Sequence, residues 1–420
     1  MTDVSADTSA LPRSGPIRIG LLGMYASRNL GDVAIQLAVM SALHARHDNI
    51  EFVGLCQDPE DTVRTFNIAA IASSGKGELL TPATLAETLR KEPRAHETRW
   101  SRLTGKFYSL RQIQRQMRSL DMLLISGSGQ IDDFWGGPWA QPFRLMAWSF
   151  AARSQGKRVV VFGVGVDELR TSLGEWFCIR ALNCAAICVV RDSGSREALR
   201  RLGYRHTIDV CADPAFHLDV KEGARATGEA ERFAVISPIS RRAWPGPEDD
   251  SYDTYLSTLA SVAEYLQERS LNVRFVCSQI RMDPPIVDRI LDRMKPGTIR
   301  PAFVDVKTVD EYLAAVKGAQ LIVGSRLHAL ILALITGVPA VAISAVRKVH
   351  QQFADIGLAD HAFAMQSLQL PELLARIDAI IAYPDQVREK VVKTTREFRS
   401  QNATQFDRIA KLIPAKRAAD

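Results

Sequence analysis

The sequence predicts an α/β fold: two tandem domains, each a parallel sheet with helices on both faces, meeting at a cleft. Three observations lead there. The 420 residues are too many for one ordinary core. Apolar runs of strand length alternate with stretches of helical periodicity. A polar, glycine-containing segment, Val220 to Glu231, interrupts this pattern, which then restarts. The expected division is a tail over 1–15, an N-terminal α/β domain over 16–222, a C-terminal α/β domain over 226–385, and a closing helix and tail over 386–420.

In the first domain, IRIGLLGMY is a buried strand, and VAIQLAVMSALHARH after it has helical spacing. EFVGLC is a second strand and FNIAAI a candidate third. Thr88 to Arg118 is basic and helical in composition. DMLLISGSG is a strand ending in glycines, and PFRLMAWSFAARSQG a helix with a glycine stop. RVVVFGVGV and AAICVVRD are strands, the latter leading into the helix SREALRRLG. In the second domain RFAVISPIS, NVRFVCSQI, QLIVGS and PAVAIS are strands. Between them lie the helices YDTYLSTLASVAEYLQERS, TVDEYLAAVKGA and RLHALILALITG; Thr308 and Glu311 fit a capping box. The last helical region, Leu370 to Ile413, is expected to fold back on the first domain.

Composition narrows the function. A surplus of 53 basic over 47 acidic residues suits anionic substrates but does not mark a nucleic-acid binder. The six cysteines form no CxxC pair and sit in apolar surroundings, so they read as core residues in a reducing compartment. The first fifteen residues lack the basic and apolar regions of a signal peptide, and no apolar run reaches the roughly 18 residues that span a membrane. The expected location is cytoplasmic. Arg90 to Arg118 holds nine Lys or Arg against two Glu; it can face anionic lipid at the inner surface of the membrane, or a phosphorylated acceptor, or be a solvated helix face.

Four stretches can carry chemistry. In GSRLHALILALITGVPA a strand ends at Ser325, and Arg326 and His328 open an apolar helix. Cations are disfavoured at the positive end of a helix unless an anion offsets them. That anion is either a ligand or a protein carboxylate paired with Arg326, with His328 a satisfied boundary histidine. In VVRDSGSREALRRLG a buried strand ends at Arg191, which either faces the cleft or pairs with Asp192. In AISAVRKVH, Lys348 follows a strand end, beside Arg347 and His350; it either joins the same pocket or belongs to a solvated cluster. Finally, YASRNLGD and SGSGQIDDFWGG follow strands and let backbone N–H groups approach a ligand, bringing in Gly31, Asp32 and Gly129. Asp132 and Asp133, near Trp135 and Trp139, suit binding and deprotonation of sugar hydroxyls, or form a solvated loop. None of these loops is a Walker A loop or a dinucleotide fingerprint.

These motifs resemble the polysaccharide pyruvyl transferase family. The resemblance runs from about Ile17 to Ile380. Its parts are Asn29-Leu30-Gly31-Asp32, the loop SGSGQIDD, Val190-Arg191-Asp192 with Ser195, Asp213-Pro214-Ala215-Phe216, and, most specific, GxRLHxxIxAxxxGxP from Gly324 to Pro339. Where the family often has Tyr-Asp-Pro-Lys, Ala345, Val346 and Arg347 stand before Lys348. The resemblance implies a glycosyltransferase B-like pairing of Rossmann-like domains. It implies transfer of the pyruvyl group of phosphoenolpyruvate to sugar hydroxyls of a polysaccharide or glycan precursor, as a ketal, with release of phosphate. It implies donor binding by Arg191, Arg326 and Lys348, with Ser325 beside them, and a catalytic role for His328. Asp132 or Asp133 is the expected base. No metal or cofactor beyond the donor is called for, and no nucleic acid. The other readings are a nucleotide-sugar glycosyltransferase on the same fold and a catalytically silent relative.

Overall fold

The computed structural model describes residues 15–24, 29–88, 101–134, 136–167, 169–220, 232–241, 251–345 and 347–415. Outside them fall the expected N-terminal tail up to residue 14, loop residues 25–28, the basic stretch over 90–100, Trp135, most of the polar segment between the domains, and Val346.

Two parallel sheets form the frame. The first holds β1 (Ile17–Met24), β2 (Ile50–Cys56), β3 (Ala69–Ala72), β4 (Met122–Ser126), β5 (Arg158–Val164), β6 (Ala185–Val190) and β7 (Asp209–Val210), in the order β3-β2-β1-β4-β5-β6-β7. The second holds β8 (Phe233–Ser237), β9 (Asn272–Val276), β10 (Ala302–Val304), β11 (Ile322–Gly324), β12 (Ala340–Ser344) and β13 (Ala362–Ala364), in the order β10-β9-β8-β11-β12-β13. Both faces of the central strands are covered by helices, which is why β4, β8 and β12 are apolar without alternation and buried throughout.

In each sheet the strand order reverses once, at β1/β4 and at β8/β11. Such a reversal sends adjacent connections to opposite faces and opens a crevice at the strand carboxyl ends. The two crevices set the position of the site.

Local details follow from capping chemistry. FNIAAI is not all strand: Phe66 closes a helix, Pro59–Phe66, and Asn67 turns the chain with a left-handed φ of 53°, so pairing starts at Ala69. At Val309–Val316 the Thr308 hydroxyl accepts from Glu311 N–H at 3.2 Å, while the Glu311 carboxylate reaches Lys307 N–H at 2.7 Å, one residue before the cap. Four further helices, Pro82–Thr88, Ser172–Leu182, Pro284–Leu291 and Arg347–Asp355, add to those read from the periodicity.

The long helix Pro384–Ala410 crosses onto the first domain. Phe406 packs on Phe162 with ring centres 4.7 Å apart, Arg46 binds Asp407, and Asn402 donates to the backbone carbonyl of Asp213 at 3.1 Å. All six cysteines are buried and none is in a disulfide; burial pushes the Cys56 and Cys188 thiols up to about 12. Among the described residues no helix is long and apolar enough to cross a membrane.

Candidate active site

A cleft of about 180 Å³ opens where the two crevices face each other. Its walls come from the strand ends beside both reversal points: Asn29 and Asp32 after β1, Ser128 and Gly129 after β4, Ser278 after β9, and Ser325 with Arg326 after β11. Arg191, His328 and Lys348, with the apolar Ile239, Leu327 and Val349, complete it. Seven of the expected residues, Asp32, Gly129, Arg191, Ser325, Arg326, His328 and Lys348, therefore share one cavity.

Each basic group in the cleft is gripped by an aspartate. Arg191 is buried at the end of β6, and its Nη1 donates to Asp213 Oδ2 at 3.0 Å. It lies against the backbone of Gly165; a Cβ there would stand 2.5 Å from Nη2, so the second glycine of GVGV makes room for the guanidinium. Burial works against the Arg191 charge, but Asp213, Asp192 and Asp167 outweigh it and raise the pKa further. Asp192 also accepts from Ser195 N–H at 2.6 Å and so caps the helix Ser193–Arg201. The Arg191–Asp192 contact is thus buried and not a surface pair.

Asp213 holds a second group. His328 Nε2 lies 3.4 Å from the same Oδ2, and Oδ1 accepts from Ala215 N–H at 3.0 Å. Burial alone would raise this carboxyl; His328 and Arg191, with the Ala215 bond, override it and hold it at about 2. One buried carboxylate thereby ties the arginine of the first domain to the histidine of the second.

His328 packs on the helix Leu30–His44 from the other side. A Cβ on Gly31 would sit 2.2 Å from His328 Cγ. Gly31 therefore seats the imidazole and is not among the residues that line the cleft. Asn29 caps that helix through Gly31 N–H at 3.2 Å and donates to Asp32 Oδ2 at 2.8 Å. Asp32 Oδ1 is buried with no partner, although Asp32 lines the cleft.

Arg326 precedes the helix Leu327–Leu334, shorter than the sequence suggests because Gly337 turns the chain with φ +78°. Its guanidinium forks onto buried Asp283, with Nη2 to Oδ1 at 2.8 Å and Nε to Oδ2. Asp283 is the protein carboxylate that offsets this cation, and it also accepts from Ser240 N–H at 3.0 Å. Ser325 Oγ shares a 2.7 Å hydrogen bond with Tyr255. Lys348 opens the helix Arg347–Asp355 and reaches across to Asp167, Nζ to Oδ2 at 3.2 Å, with about a third of each side chain exposed. His350 is occupied locally, with its Nε2 2.8 Å from the Ser344 carbonyl.

Asp133 is not among the residues that line the cleft: it is buried, Oδ1 accepts from Arg170 N–H at 2.8 Å and Oδ2 from the Thr171 hydroxyl at 2.6 Å. Both oxygens are spent fixing the turn before the helix Ser172–Leu182. Asp132 stays at the lip, with Oδ1 accepting from Phe134 N–H at 3.1 Å. The sequence reading also missed the aspartates that hold the cations. Asp213 stood in the DPAF motif and Asp283 before two prolines, a helix-start signal. Asp167 had no signal beyond its place after GVGV.

Comparison with known proteins agrees with this architecture. The family model for polysaccharide pyruvyl transferase matches residues 29–345. No curated protein matches the sequence. Among solved structures, S. aureus MnaA in complex with UDP superposes with a TM-score of 0.56 at 10% identity, over 96% of this chain and 100% of that one. A putative UDP-N-acetylglucosamine 2-epimerase from Listeria monocytogenes gives 0.58 at 11% identity, over 94% and 98%. The Neisseria meningitidis UDP-GlcNAc 2-epimerase bound to UDP-GlcNAc gives 0.57 at 10%, over 94% and 100%. At such identities the likeness is one of fold: two facing Rossmann-like domains of the glycosyltransferase B type.

Proposed function

This chain belongs to the polysaccharide pyruvyl transferase family, and from that premise we propose that its cleft binds phosphoenolpyruvate and transfers the pyruvyl group to sugar hydroxyls as a ketal. The observation that carries the reading is the convergence of Arg191, Arg326, Lys348 and His328, from both domains, on one small cavity. Phosphoenolpyruvate presents a carboxylate and a phosphate close together. Guanidinium forks suit both, and their buried aspartates pre-orient them so that little order is lost on binding. Lys348 is held by a weaker pair, about a third exposed, and can leave Asp167 for the phosphate.

The chemistry follows from the placement. His328, whose ring is fixed by Asp213 and Gly31, delivers a proton to the methylene carbon, making it a methyl group and leaving C2 oxocarbenium-like. A sugar hydroxyl oxygen bonds to C2, and its proton passes to a base. A second hydroxyl then bonds to C2 as the C2–O bond to phosphate breaks, and phosphate leaves with the second proton. Asp32 replaces Asp133 as the base, because its Oδ1 lacks a partner and Asp32 lines the cleft.

Thermal shift with phosphoenolpyruvate, phosphate, pyruvate and UDP-sugars tests the donor. At about a hundred times Kd a ligand adds roughly 2.7 kcal/mol to stability. Stabilisation by phosphoenolpyruvate, lost in Arg326→Ala, is expected. Stabilisation by a UDP-sugar alone would replace the reading with a glycosyltransferase whose cations grip a diphosphate. His328→Ala and Asp32→Asn should abolish phosphate release while leaving the folded state intact.

A further inference from the structure

Beside the cleft, the first domain exposes aromatic rings that a water-facing surface normally hides. Phe134 is 49% exposed, Trp139 48% and Trp176 48%. They are not isolated. Buried Phe177 lies between the two indoles, with centroids 5.2 Å from Trp139 and 5.4 Å from Trp176. Phe143 closes the cluster at 5.4 Å from Trp139 and 5.6 Å from Phe177. The guanidinium of Arg170 lies 4.4 Å from the Phe134 ring centre, and that of Arg180 5.3 Å from Trp176.

The cluster is continuous with the cleft. Lys348 binds Asp167, and a Cβ on cleft-lining Gly129 would stand 2.7 Å from Asp167 Oδ2 and 3.9 Å from Asp132 Oδ2. Asp132 accepts from Phe134 N–H, while Asp133 ties the same loop to Arg170 and Thr171. The rings therefore stand at the starts of the helices Gln141–Ser154 and Ser172–Leu182, at the carboxyl edge of the first sheet.

We propose that Phe134, Trp139 and Trp176, with Arg170 and Arg180, form a binding platform for the glycan chain that carries the acceptor hydroxyls. A pyranose has an apolar C–H face and a polar rim. Half-exposed indoles braced from behind present rigid apolar faces at little entropic cost, and the flanking guanidinium groups donate to the hydroxyls. Two indoles on one buried phenylalanine reach neighbouring rings of a single chain, and Asp132 at the lip meets the sugar before the cleft does. The platform rests on the transferase reading only for the role of what it holds.

The test separates the two. Wild type, Trp139→Ala and Trp176→Ala are screened on a printed array of oligosaccharides and polysaccharides, and the best binder is titrated by tryptophan fluorescence. Thermal shift with phosphoenolpyruvate is run alongside. Both variants should weaken glycan binding at least tenfold and keep the phosphoenolpyruvate shift. Failure of wild type to bind any glycan on the array, or unchanged affinity in both variants, overturns the platform. So does cosedimentation of wild type with phosphatidylcholine–phosphatidylglycerol vesicles that both variants lose, since the rings would then serve a membrane. Glycan binding without any phosphoenolpyruvate shift leaves the platform standing and sinks the donor reading instead.

Discussion

Asp213→Asn is the sharpest perturbation. The carboxylate is fully buried beneath Arg191 and His328, and its substitute is almost the same size, so packing is preserved and charge is removed. Holding the carboxyl at about 2 against an ordinary value of about 3.9 favours the ionised form by about 2–3 kcal/mol. Removing one partner of a buried pair also leaves Arg191 with only the more distant Asp192 and Asp167, a loss of about 3–5 kcal/mol that includes the first figure. At roughly 2–4 °C per kcal/mol, Tm should fall by about 6–20 °C at pH 7. The sign in pH follows. The folded carboxyl titrates lower than the unfolded one, so its contribution is complete above about pH 4 and is lost as pH falls toward 2. The deficit of the variant should therefore be constant near neutrality and shrink in acid. Calorimetry from pH 7 to pH 3, with phosphate release measured at pH 7, checks both. A variant melting within a degree of wild type at pH 7, and turning over normally, would refute the view that this carboxylate couples the two domains.

Two further substitutions probe the same cleft. Gly31→Ala adds a methyl group in the first turn of a helix, where alanine is normally better by about 1 kcal/mol; here it would meet His328 at 2.2 Å, so turnover should drop at least a hundredfold in steady-state assays with the fold retained by circular dichroism. Lys348→Ala should change stability by less than about 1 kcal/mol, since its pair with Asp167 is a third exposed, yet weaken phosphoenolpyruvate binding at least tenfold by calorimetric titration.

Much of the frame is local information. An apolar run without alternation can only be a strand covered on both faces, or a buried helix segment, and length with flanking glycines decides between them. That made β1, β4, β5, β6, β8, β11 and β12 legible, and with them the strand ends where Arg191, Arg326 and Lys348 stand. The placement of a cation at the start of an apolar helix likewise pointed to a compensating anion. FNIAAI misled because a left-handed asparagine breaks an otherwise apolar stretch, a feature periodicity does not carry.

Which anion it is, and what each residue does, required the tertiary structure. Asp283 lies 43 residues before Arg326, Asp213 lies 115 before His328, and Asp167 lies 181 before Lys348. No local spacing rule links such pairs, because they meet only when strands far apart in the chain present their ends together, within one sheet for Asp283 and Arg326 and across the two sheets for His328 and Lys348. The same holds for Asp133, plausible as a base beside tryptophans but consumed by a turn 37 residues on, and for Gly31, whose missing side chain matters only to a histidine from the other domain. The sequence by itself determined two parallel sheets and the cations at their edges. The meeting of the two edges decided which groups are pinned and which oxygens are left unsatisfied, since burial and hydrogen bonding are properties of the assembled cleft.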